Sequence, residues 1–168
     1  MKKILLIKFM LCLCIVTTAV FARSNDKTQP MKIEADSVSI DEKKGESHYQ
    51  GNVVFKQGTI ELSADQVIIY SNQKRQIFRV KATGSPSKFK QLPDGSKDFI
   101  YGESNNMDYM VAKEKLFLTN NALVKQGKNI FKSQKIEFDS HHSKLVAGEK
   151  SSNKSRVQVI LQPVLKEK

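Results

Sequence analysis

Tyr49-Gln-Gly-Asn-Val-Val-Phe-Lys-Gln-Gly-Thr-Ile-Glu-Leu-Ser-Ala-Asp-Gln-Val-Ile-Ile-Tyr70 is the stretch whose reading decides the fold. Val53 and Phe55 share one face of a strand, Gly58 marks a turn, and Ile60, Leu62 and Ala64 share one face of the next strand. At Ala64-Asp65 the apolar parity passes from even to odd numbers, and Val67 and Ile69 carry a third face. A period of two predicts strands, and a phase shift at a small residue plus an acid predicts a strand rounding a corner. The expectation for 49–70 is therefore three short strands.

The same corner recurs. Ala35-Asp36 precedes Val38 and Ile40, Ser104-Asn105 precedes Met107 and Tyr109, and Ser133-Gln134 precedes Ile136 and Phe138. The corners at 35 and 104, and those at 64 and 133, lie 69 residues apart, and at that offset Asn52–Gly58 falls on Asn121–Gly127 without a gap. Only five of the 36 aligned positions are identical, but Lys-Gln-Gly is shared and the apolar positions match. Such a period predicts an internal duplication of one supersecondary unit.

Alternation continues from Met31 to Leu161 with no convincing helix, and the runs are separated by Gly45, Gly58, Gly84-Ser-Pro86, Pro93-Asp-Gly95, Asn120-Asn121, Gly127 and Gly148. Many short, evenly spaced strands predict an all-β sandwich, jelly roll or barrel. Residues 23–30 are polar and read as a mobile lead-in, 31–161 as the folded domain, and 162–168 as a basic, frayed tail.

Lys2 and Lys3 lead into an apolar run from Phe9 to Phe21, followed by Ala22. That pattern predicts a secretory signal peptide over 1–22, cut after Ala22, and the run is shorter than the roughly 20 residues of a membrane span. An uncleaved anchor is the alternative. Cys12 and Cys14 lie inside this segment, so the remaining 146 residues (168 − 22) contain no cysteine and no disulfide. Three basic residues leave with residues 1–22 and no acids do, so the net charge becomes 25 − 17 = +8. A surplus of that size favours anionic partners.

Catalytic machinery is hard to find. The histidines are His48, His141 and His142, with no nucleophile elbow or phosphate-cradling glycine loop beside them. Adjacent His141 and His142 would point to opposite sides of a strand, which disfavours a shared metal. No enzyme activity, metal or cofactor is expected. The aromatic residues are spread along the inward faces rather than gathered into a stacking platform, which argues against nucleic acid.

Several ordered segments resemble the LptA/OstA-like family of periplasmic lipopolysaccharide-transport proteins. They are Gln29-Pro-Met-Lys-Ile-Glu-Ala-Asp36, Tyr49-x-Gly-Asn-Val53 through Gln57-Gly-Thr-Ile60, Ala64-Asp65, Gly84-Ser-Pro-Ser-Lys-Phe89, Leu116-x-Leu-x-x-Asn-Ala122 and Gln126-Gly127. The resemblance covers about Gln29 to Leu161, and the same domain type occurs in LptC and in the periplasmic part of LptD. Asn120 departs from the repeat, standing where the first copy has Gly51.

The resemblance implies an open antiparallel β-jelly roll, slightly twisted, with exposed edge strands at both ends and an apolar interior. It also implies a periplasmic location, head-to-tail self-assembly through edge strands, inner-membrane LptC and outer-membrane LptD as partners, and lipopolysaccharide as cargo. By matching position it places Met31, Phe89, Tyr109 and Val111 against the acyl chains. Strand parity adds Ile33, Val38, Ile40, Val53, Phe55, Ile60, Leu62, Val67, Ile69, Met107, Leu116, Leu118, Ile136 and Phe138. A membrane-anchored LptC-like adaptor and a secreted polyanion-binding protein are the other functional readings.

Overall fold

The computed structural model describes residues 26–142, 144–148 and 156–163. The signal segment 1–22 lies outside them, as does most of the basic tail. The chain forms ten strands among the described residues: β1 (Met31–Glu34), β2 (Ser37–Asp41), β3 (Glu46–Gln57), β4 (Ile60–Ser71), β5 (Ile77–Gln91), β6 (Ile100–Met110), β7 (Lys115–Gln126), β8 (Asn129–Asp139), β9 (Lys144–Ala147) and β10 (Gln158–Ile160). All pairings are antiparallel, and β3 through β8 are consecutive neighbours. β1 and β2 both lie along β3, and β9 and β10 both lie along β8, so each edge of the sheet is built from two short strands.

The expected three strands over 49–70 are two long ones. The pairing register slips between Gln50 and Val53 on β3 and between Ser63 and Gln66 on β4, yet hydrogen bonding resumes on both sides. A one-residue bulge flips side-chain parity without ending the strand, so it mimics a strand boundary in the sequence. Slips recur at Thr83/Ser87, Glu103/Asn106 and Thr119/Ala122. Ala64-Asp65 and Ser104-Asn105 are thus corners as expected, while Ala35-Asp36 separates β1 from β2 and Ser133-Gln134 sits in an unbroken β8 opposite the slip on β7.

Lined up across the sheet, these bulges form a crease on which the sheet folds back over itself. Ala64, Ser87, Ser104, Ala122 and Ser133 are all buried along it. Inner-face side chains from the two halves converge there, which leaves room only for small residues.

The 69-residue repeat is visible in the backbone. Adding 69 to the bounds of β3 gives those of β7, and adding 69 to Ile60, where β4 begins, gives Asn129, where β8 begins. Gly58 and Gly127 turn at φ 59° and 57°, and Asn52 and Asn121 at 47° and 60°. Gly51 (φ 80°) corresponds to Asn120 (φ 62°), which explains the departure: both are left-handed, and asparagine is among the few other residues that tolerate that region. At Gly51 a Cβ would lie 2.2 Å from Asp36 Oδ2, the oxygen that accepts a 2.9 Å hydrogen bond from Asn52 Nδ2. Gly51→Val is therefore expected to cost about 2 kcal/mol, a melting-temperature drop of roughly 5–10 °C. Asn120→Gly is expected to melt within a few degrees of the parent. Thermal unfolding followed by circular dichroism checks both.

Registered partners share a face, so the ladder defines the interior. On one side of the crease Ile33, Phe55, Leu62, Phe89, Gly102, Val124, Phe131 and Val159 follow one another across eight strands. On the other side one row runs Val38, Tyr49, Val67, Ala82, Met107, Leu118, Ile136 and Ala147. A parallel row runs Ile40, Ser47, Ile69, Val80, Tyr109, Leu116, Phe138 and Leu145. The two sides meet near Leu118, whose Cδ2 would stand 3.0 Å from a Cβ at Gly102.

Part of the lead-in is described and has local structure. Residues Asp26–Thr28 form a 3-10 turn, and Asp26 is buried. Its carboxylate accepts hydrogen bonds from Thr59 N and Thr59 Oγ1, both at 2.7 Å, while Gln57 Nε2 donates to Gln29 O at 3.2 Å. The loop between β3 and β4 presents unpaired donors, and an acid in the lead-in satisfies them.

Candidate functional site

The folded sheet has a closed side at the crease and an open side at the opposite strand ends. Towards the crease Val53, Val67, Val124, Leu118 and Ile136 are fully buried and pack as an ordinary core. Towards the open seam a cavity of about 340 Å³ remains, lined by Met31, Phe55, Gln57, Ile60, Leu62, Arg75, Ile77, Val80, Ala82, Phe89, Met107, Tyr109, Val111 and Leu116. Its size falls within the roughly 300–1,000 Å³ of small-molecule sites.

The lining comes from both halves of the folded sheet. β1, β3, β4 and the far end of β5 supply Met31, Phe55, Ile60, Leu62 and Phe89, whereas the near end of β5, β6 and β7 supply Ile77, Val80, Ala82, Met107, Tyr109 and Leu116. Val111 opens the 3-10 turn Val111–Lys113 that follows β6. Met31, Phe89, Tyr109 and Val111, the four placed by family resemblance, all reach the cavity. So do Phe55, Ile60, Leu62, Met107 and Leu116 from the parity set.

The other expected lining residues sit elsewhere. Val53, Val67, Leu118 and Ile136 lie in the packed core, Ile69 and Phe138 are buried outside the cavity, and Ile33 packs against the core from the edge. Val38 and Ile40 are on the inner rows but 56% and 61% exposed. Their parity matches the interior, but β2 is an edge strand with nothing opposite it, so neither is covered. Ile77, Val80 and Ala82 were missed as lining residues although the same alternation carries Val80 and Ala82. Gln57 and Arg75 had no apolar signal to mark them.

Tyr109 is the most informative polar group. Burial, reinforced by the charges of Glu114 and Asp26, pushes its hydroxyl up to about 12. The direction of the shift shows that this part of the seam disfavours negative charge. Arg75 sits on the rim and is the one charged residue among those lining the cavity.

The comparisons with known proteins agree with this geometry. Residues 32–144 match the family model described as LptA/(LptD N-terminal domain) LPS transport protein. The lipopolysaccharide export system protein LptH of Pseudomonas aeruginosa is 29% identical over 147 residues, covering 84% of each chain. The LptA proteins of Haemophilus influenzae and Escherichia coli K12 are each 32% identical, covering 94% and 85% of this chain and 91% and 76% of their own lengths. The crystal structure of P. aeruginosa LptH, the LptA-homologous periplasmic component of that organism's lipopolysaccharide transport device, superposes with a TM-score of 0.75 at 29% identity. It covers 82% of this chain and 99% of that one. An open all-β sheet creased into two facing halves, a seam cavity walled by apolar side chains, and a family match across most of the chain lead to one conclusion: this chain belongs to the LptA/LptD N-terminal-domain family of lipopolysaccharide transport proteins.

Proposed function

We propose that this protein carries lipopolysaccharide across the periplasm, without catalysis, by sheltering acyl chains against the inner face of its creased sheet. The observation that supports it best is the continuity of the inner rows. They run perpendicular to the strands from one edge of the sheet to the other, and each has one uncovered end: two rows at Val38 and Ile40 on the β2 edge, the third at Val159 on the β10 edge. An apolar row that runs out uncovered at an edge of the sheet offers a way in for an acyl chain there.

The energetics favour a path. Exposing methylenes costs about 0.8 kcal/mol each, so a chain of about 12 carbons would forfeit roughly 10 kcal/mol on crossing water bare. An apolar wall lowers that barrier with no covalent step. Copies join head to tail, the β9/β10 edge of one meeting the β1/β2 edge of the next by strand addition, and the ends of the array meet LptC at the inner membrane and LptD at the outer membrane. Open edge strands are normally blunted because they recruit other strands. Here β2 and β10 are exposed along their lengths, which suits recruitment. The signal segment would deliver the chain to the periplasm.

A photoreactive side chain at position 109, irradiated in living cells, tests the reading. A covalent adduct carrying lipopolysaccharide is expected; adducts with other macromolecules alone would overturn it.

A further inference from the structure

The cavity rim contains a charged group that an apolar conduit does not need. Asn72, between β4 and β5, accepts hydrogen bonds on its side-chain oxygen from Lys74 N (2.9 Å) and Gln76 N (3.0 Å), and its side-chain nitrogen donates to Gln76 Oε1 at 3.0 Å. Arg75 N donates to Asn72 O at 2.8 Å, and Asn72 N to Gln76 O at 2.9 Å. The turn is thereby locked from within, and it holds Arg75 at φ 59°. A bulky residue pays for the left-handed region, where glycine or asparagine would sit without strain, and such outliers gather at functional positions.

Arg75 lines the cavity together with Met31, Gln57, Ile77, Tyr109 and Val111. Its protein partner is weak: Glu42 Oε1 lies 3.7 Å from Arg75 Nη2, with the two side chains 86% and 76% exposed. Ion pairs of that kind contribute almost nothing to stability and exchange easily. A guanidinium offers a planar fork that matches the oxygens of phosphate or carboxylate. The wall below it is apolar and admits no charge.

We propose that Arg75 is an anion-binding site at the mouth of the seam, selecting ligands that join an acyl tail to a phosphate or carboxylate head, with Glu42 as the counter-ion that the head displaces. The inference rests on the acyl-sheltering reading above and adds a head-group rule to it. The head stays in water at the rim while the tail enters between Met31 and Tyr109. Arg75 thus sets the direction of entry, tail first, and discriminates charged amphiphiles from neutral ones of the same length.

Displacement of the fluorescent apolar probe N-phenyl-1-naphthylamine from the purified protein tests it, with dodecyl phosphate and dimethyl dodecyl phosphate as competitors below their micelle concentrations. The two share a tail and differ in head charge. The native protein should prefer dodecyl phosphate by about tenfold or more. Arg75→Gln should remove that preference while leaving displacement by the neutral ester unchanged, and Arg75→Lys should restore part of it. Glu42→Gln should strengthen dodecyl phosphate severalfold, a gain that a merely structural residue would not produce. The preference should shrink in high salt, as for any exposed charge. Arg75→Gln with its preference intact, or with both ligands weakened equally, overturns the anchor alone. Failure of both ligands to displace the probe from native protein overturns the groove and the anchor together.

Discussion

Replacing Tyr109 with glutamate is expected to cut lipopolysaccharide binding by at least an order of magnitude at neutral pH while the sheet stays folded. Tyr109 lies on the inner row between Val80 and Leu116, at the seam rather than the crease. Burial, with nearby Glu114 and Asp26, pushes its own hydroxyl up to about 12, so this spot disfavours negative charge. A carboxylate placed there meets the same environment and must be solvated by water that an acyl chain would otherwise exclude. The fold should survive because the seam is open enough for the new group to reach solvent. The same environment that raises the tyrosine will raise the introduced carboxyl, so binding should recover as the pH is lowered towards 5 and that carboxyl takes up a proton. Calorimetric titration with lipopolysaccharide at pH 7.5 and pH 5, with far-ultraviolet dichroism as the control for folding, decides the matter. Undiminished binding at pH 7.5 would remove Tyr109 from the path.

Leu118→Ala carries the largest expected loss of stability. Leu118 is fully buried, it lies in the inner row between Met107 and Ile136, and it spans the gap to Gly102 on the facing half of the sheet. Gly102 has no side chain to fill the space, so truncation leaves a void that neighbouring β6 cannot close. Such substitutions cost about 2–5 kcal/mol, against a total of roughly 5–15 kcal/mol for a domain. Urea unfolding should show a lowered midpoint with an unchanged slope, because the surface exposed on unfolding is the same. A loss below about 1 kcal/mol would mean that the two halves do not depend on each other at this point.

These two positions show why the interior could be read only in part beforehand. Tyr109 and Leu118 have equivalent signals in the sequence, since each is an apolar-parity residue in a run of alternating residues. What separates a lining residue from a core residue is distance from the crease, and the crease is set by where the bulges of six neighbouring strands line up. Alternation could mark the corners at Ala64-Asp65 and Ser104-Asn105. It could not show whether the chain ends a strand there or merely bulges, because the resumed hydrogen bonds belong to the neighbouring strands. Arg75 carries no apolar signal, and its place over the cavity depends on the Asn72 turn and on strands far along the chain.

By itself the amino-acid sequence determined the all-β class, the inward face of nearly every strand, the hairpin glycines and the 69-residue duplication. All of these follow from the fixed two-residue period of a strand and from the few residue types that accept a left-handed turn. Only the tertiary structure decided that the strands expected to break at Ala64-Asp65 run on through a bulge, that Asp26 clasps the loop at Thr59, and that Val38 and Ile40 stay uncovered while Leu118 is sealed. Burial and pairing are properties of a neighbour, and a residue's neighbours across a folded sheet are supplied by parts of the chain that its local sequence does not specify.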